Sequence, residues 1–106
     1  MKTKELIKMK IENDISAFEK IGIKNNHGMS GKNIRNYISE PKYEEYIEAT
    51  DNLGIMLWTV LEEPNSGYLI VYHEEFGEFG LALKTNDNKR IFLGIYGNFV
   101  ETFSSM

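Results

Sequence analysis

The side chains best suited to chemistry gather at His73-Glu74-Glu75, with Glu78 three residues on. His73 and Glu75 fall on the same side of an extended chain, so an imidazole and a carboxylate could face a divalent cation together. Two ligands are too few for a structural metal site. The second histidine, His27, would have to cross from the first loop to complete one. The chain has no Cys, which removes thiolate nucleophiles, disulfides and Cys-based zinc sites together. The His-x-Glu plus Pro-Cys-x-x-Cys set of a zinc deaminase fails for the same reason. The expectation is a solvated acidic loop with no metal and no cofactor.

Other catalytic patterns fail on their own terms. Gly28-Met-Ser-Gly31-Lys32-Asn33 has the flavour of a phosphate loop. That motif needs an opening Gly where Asn26 stands and a Ser/Thr where Asn33 stands, so that backbone N–H groups cradle phosphate and a hydroxyl holds magnesium. No Gly-x-Ser-x-Gly elbow surrounds any serine. Glu62, Glu63, Glu74 and Glu75 are doubled carboxylates, but glycoside hydrolysis needs two of them across a cleft in unlike environments. The chain reads as a binder rather than an enzyme.

The strongest constellation is Glu44, Glu45, Glu48 and Asp51. On a helix, Glu44, Glu48 and Asp51 at i, i+4 and i+7 share one outer face, suited to docking in a cationic groove. Glu74, Glu75 and Glu78 form a second acidic group in a loop, where Phe76 and Phe79 flank Gly77. At least one of these rings is expected to be exposed, as an aromatic anchor rimmed by acid. The partner-binding set is therefore Glu44, Glu45, Glu48, Asp51, Glu74, Glu75, Phe76, Glu78 and Phe79. Aromatic residues interleaved with Glu rather than Lys/Arg are poor platforms for single-stranded nucleic acid.

These groups need elements to position them. Leu6, Ile7, Ile11, Ile15, Phe18 and Ile21 recur at spacings of three and four, which predicts an amphipathic helix over about residues 3–21, ended near Gly22. Residues 24–33 read as a loop, followed by a short helical turn through Ile34, Tyr37 and Ile38. Ser39 can cap a second helix with Pro41 in its first turn, Tyr43, Tyr46, Ile47 and Thr50 facing inward. Strands are predicted at Ile55–Leu61, Tyr68–Tyr72, Gly80–Lys84 and Arg90–Tyr96, separated by the turn clusters 63–67 and 86–88. Asn98 with Glu101 three residues later starts a last short helix. The expected fold is α+β in the order ααββββα, a four-stranded antiparallel meander with helices on one face.

The 106 residues fit one domain spanning 1–106. Charge is sorted along it: residues 1–42 carry +4 and residues 43–106 carry −8. Net acidity argues against nonspecific nucleic-acid binding. No apolar run approaches the ~20 residues that span a bilayer, and no signal-peptide pattern opens the chain. Those features, with the lack of Cys, point to the cytoplasm.

The first helix ends in Ala17-Phe-Glu-Lys-Ile-Gly-Ile23, which is similar to the first helix of the SUKH group of immunity proteins. That group continues with an apolar-Pro pair and a Gly-rich turn, where this chain has Lys24-Asn25-Asn26. More broadly, a small acidic Cys-free domain resembles the immunity proteins of bacterial toxin systems. The resemblance implies stoichiometric neutralisation of a basic toxin or nuclease. Two other functions fit the residues: a small-molecule-binding or enzymatic domain with a pocket at Trp58, His73 and Glu75 between the sheet and the first helices, and a phage or mobile-element accessory protein forming a homodimer.

Overall fold

The computed structural model describes residues 2–19, 37–63 and 66–105. Helix α1 spans Thr3–Glu19. Five strands follow: β1 Ile38–Glu48, β2 Gly54–Glu62, β3 Tyr68–His73, β4 Glu78–Lys84 and β5 Arg90–Gly97. A short helix, α2, spans Phe99–Ser104. The strands close a barrel in chain order β1-β2-β3-β4-β5. Successive strands are antiparallel, and β5 returns to lie parallel to β1 at Ile47↔Ile91 and Glu48↔Phe92. An odd number of up-and-down strands makes the first and last point the same way, so a parallel pair is the closure available.

This corrects the expected four-stranded ααββββα meander. The second helix predicted from Ser39 is strand β1, paired with β2 from Ile38↔Leu61 to Ile47↔Gly54. Tyr43, Tyr46 and Ile47 satisfy a helical spacing, but aromatic and β-branched residues favour a strand once a neighbouring strand offers cross-strand contacts. Pro41, which cannot donate to a ladder, lies in the register shift between Ile38 and Lys42. Glu44, Glu45 and Glu48 therefore lie on a strand and Asp51 in the turn after it, so no acidic helix exists there to enter a groove. The predicted loop at 24–33, the turn at Ile34, Gly22 and part of the SUKH-like stretch lie outside the described residues.

Two cores share the barrel wall. Inside, Tyr46, Leu57, Leu69, Val71, Ala82 and Phe92 fill the lumen. Outside, Val60, Leu61, Ile70, Tyr72, Phe79 and Leu81 lie under Ile7, Ile11 and Ile15 of α1 and Phe99, Val100 and Phe103 of α2. Strand β3 shows the division residue by residue: Leu69 and Val71 face in, while Ile70 and Tyr72 face the helices. A continuous apolar run is what burial on both faces requires, and each such side chain contributes about 1.5–3 kcal/mol.

Gly80 permits this packing. A Cβ there would lie 2.3 Å from the Gly94 carbonyl oxygen and 2.9 Å from Phe92 Cε1. Helix α2 opens with a full capping box: Asn98 accepts from the Glu101 N–H at 2.8 Å, and the Asn98 N–H donates to Glu101 Oε1 at 3.4 Å. The Phe99 N–H donates to Asp14 Oδ2 at 2.9 Å, which ties α2 to α1 across the length of the chain. Among the described residues, no helix is long and apolar enough to cross a membrane.

Candidate protein-docking face

Alternation on β1 turns Tyr43, Glu45 and Ile47 to the outside, opposite Trp58, Met56 and Gly54 of β2. Tyr43 is 53% and Met56 44% exposed, large apolar surface left open to solvent on the barrel wall. The Tyr43 and Trp58 rings pack at 4.9 Å between centroids, tilted by 41°. Glu45 folds back over Gly54, its Oε2 3.0 Å from where a Cβ would be. Met56 is the cross-strand partner of Glu45.

The β3–β4 turn closes the other side. Trp58 Nε1 donates to Glu74 Oε1 at 2.9 Å, across the β2–β3 register Trp58↔Tyr72. A cleft of about 450 Å³ results, lined by Tyr43, Ile55, Met56, His73, Glu74 and Glu75. Tyr43 and Met56 give it apolar surface and Glu74 and Glu75 two carboxylates. At this face the structure assembles three acidic side chains, Glu45, Glu74 and Glu75, around Tyr43, Met56 and Trp58.

His73 holds the turn together. It is buried, and its Nδ1 accepts from the Phe76 N–H at 3.4 Å. An accepting Nδ1 puts the ring proton on Nε2. The Gly77 N–H donates to the His73 carbonyl at 2.8 Å, with Gly77 at φ +65°. Phe76, 63% exposed, covers the imidazole at 4.5 Å between rings, and Phe92 lies 6.4 Å away beneath. Because the strand ends at His73 and Glu75 belongs to the turn, extended-chain alternation does not govern this pair. No three His, Asp or Glu side chains converge to hold a metal among the described residues.

The other predicted residues separate. Phe79 is 2% exposed, a correction to its expected role as an anchor. It belongs to β4 rather than a loop and is packed against Tyr72 at 5.0 Å and Phe99 at 5.6 Å. Glu44 lies on the opposite side of β1 from Tyr43, 3.7 Å from Arg90, whose Nε donates to the Glu45 carbonyl at 3.3 Å. Glu48 shares Glu44's side of the strand, opposite Phe92 in the parallel pair. Asp51 accepts from the Leu53 N–H at 3.1 Å in the following turn. Glu78 borders a different cleft, with Lys10 and Asp14. Tyr43 and Met56 were missing from the predicted set. Only the strand register brings them beside Trp58 and the 73–75 turn.

Charge is not uniform around Trp58. A second pocket that Trp58 helps line is bordered by Lys2, Lys4 and Lys8, with Glu5 and Glu40 among them. Lys8 and Glu40 are paired at 2.7 Å, and this bond holds the Glu40 carboxyl below its usual range. Trp58 borders this lysine-lined pocket, whereas His73 and Glu75 border the cleft beside Tyr43, so the three residues expected to line one pocket are divided between two.

Fold and face together define a closed five-stranded barrel, with helices laid over one side and an aromatic, acid-bordered face on another. No family model matches the chain, and it matches no curated protein and no solved structure.

Proposed function

We propose that this chain is an acidic protein-binding module that docks a basic protein partner on the Tyr43 face, as an immunity or inhibitor protein neutralising a basic toxin or nuclease. The observation that carries this reading is the exposed Tyr43 and Met56, bordered by Glu45, Glu74 and Glu75. Exposed aromatic surface provides the desolvated centre of an interface. The surrounding carboxylates steer a cationic partner and discriminate against acidic ones. Among the described residues, His73 is engaged in the turn, and the carboxylates of the face, Glu45, Glu74 and Glu75, are hydrogen-bond acceptors.

A decalysine peptide tests the face directly. At low salt it should perturb the amide resonances of residues 43–45, 56 and 73–75 ahead of those near Glu62, Asp87 and Glu101. Perturbation spread evenly over all carboxylates would remove the face from consideration. The inhibitory role is tested with the basic product of a neighbouring reading frame. The expected result is a one-to-one complex whose association slows with Glu45→Lys and Glu75→Lys. An association rate indifferent to both changes and to salt would overturn it.

A further inference from the structure

The cleft beside Tyr43 has a chemistry more particular than negative charge. It is lined by Tyr43 and Met56 from the outer face of the barrel wall, by Glu74 and Glu75 of the turn, and by His73 and Ile55. Trp58 contacts both Tyr43 and Glu74. Its ring packs on Tyr43 at 4.9 Å, and its indole N–H holds Glu74 Oε1 at 2.9 Å. A flat π face and a restrained carboxylate are thus held in one relation by a single residue.

Resting on the docking reading above, we infer that the cleft takes an arginine side chain of the partner. The guanidinium stacks on Tyr43 and donates hydrogen bonds to Glu74 and Glu75, and the methylene stem lies over Met56. Arginine fits better than lysine for physical reasons. Its head is planar, weakly hydrated and able to stack on an aromatic ring while donating to a carboxylate. Two parallel N–H groups match a carboxylate's two oxygens. An ammonium keeps its hydration shell and gains little from the flat ring. Trp58 is a positioning residue in this scheme. It touches the arginine only through Tyr43 and Glu74.

Trp58 is the sole tryptophan, so its indole N–H gives one assignable resonance. The intact chain is titrated with end-blocked Gly-Arg-Gly, end-blocked Gly-Lys-Gly and decalysine. Gly-Arg-Gly should shift the indole resonance and those of residues 43, 56, 74 and 75 saturably, binding about two- to fivefold tighter than Gly-Lys-Gly. Tyr43→Leu, at an exposed position, should abolish the difference between the two peptides. Glu74→Gln should weaken both. Trp58→Phe should lose the arginine preference while the fold persists, read on the backbone amides of residues 74 and 75. Equal binding of the two peptides overturns the inference, as does decalysine binding on this face with no response to Gly-Arg-Gly. Both of those results leave the docking reading standing. No response to any of the three cations overturns both.

Discussion

The Tyr46 hydroxyl is hydrogen-bonded to Thr59 Oγ1 within the barrel, where Tyr46 is fully buried. Burial pushes the phenol up to about 12, against the pull of the Thr59 bond, and Glu44 adds to the rise. An unfolded chain loses this proton near ~10. Between those values the unfolded state binds fewer protons than the folded one, so stability falls as pH rises, by up to about 1.4 kcal/mol per pH unit. Urea unfolding across that range should show the slope. Tyr46→Phe should flatten it and cost about 1–3 kcal/mol at neutral pH, through the Thr59 hydroxyl left unpaired. Parallel alkaline slopes in both proteins would assign the effect elsewhere.

Gly80→Ala forces a methyl group against the Gly94 carbonyl and the Phe92 ring. Backbone cannot yield as a side-chain tip can. The expected loss is about 1–3 kcal/mol or more, measured as a lower urea midpoint at unchanged slope. A variant as stable as the parent would mean that β4 and β5 approach less closely than described.

Phe76 and Phe79 should respond oppositely to truncation. Phe79→Ala empties a site between Tyr72 and Phe99 and should cost about 3–5 kcal/mol. Phe76→Ala removes an exposed ring and should cost less than about 1 kcal/mol. Comparable losses would contradict the placement of these two rings.

Asp14 joins the first and last helices through the Phe99 N–H. Asp14→Ala should destabilise by about 1.5–3 kcal/mol, the range for a hydrogen bond to a charged group. Amide exchange should rise first in α2. Exchange that rises uniformly over the barrel would show that the bond supports the whole fold rather than the docking of α2.

Much of the local structure was legible. The Leu69-Ile70-Val71-Tyr72 run, the Asn98–Glu101 box and the Leu6 to Ile15 periodicity each declare an element through contacts within a few residues. The Ser39–Asp51 segment did not. Its Tyr and Ile residues satisfy both a helical stripe and a strand, and its Glu residues suit an exposed helix face. What decides is pairing with β2 on one edge and, at Ile47 and Glu48, with β5 on the other. The two phenylalanines around Gly77 were equally ambiguous, because β4 begins at Glu78 rather than Gly80, which takes Phe79 out of the loop and into the sheet while Phe76 stays in the turn.

Residue order alone thus determined the acidic balance, the absence of thiol chemistry and four of the strands, since composition and short-range periodicity need no distant partner. Tertiary structure decided the barrel, the fate of β1 and the membership of the Tyr43 face. Closing a sheet, setting its register and placing Glu74 against Trp58 are contacts between residues far apart in the chain. Their free energy appears only when both sides are present, so neither segment carries it in advance.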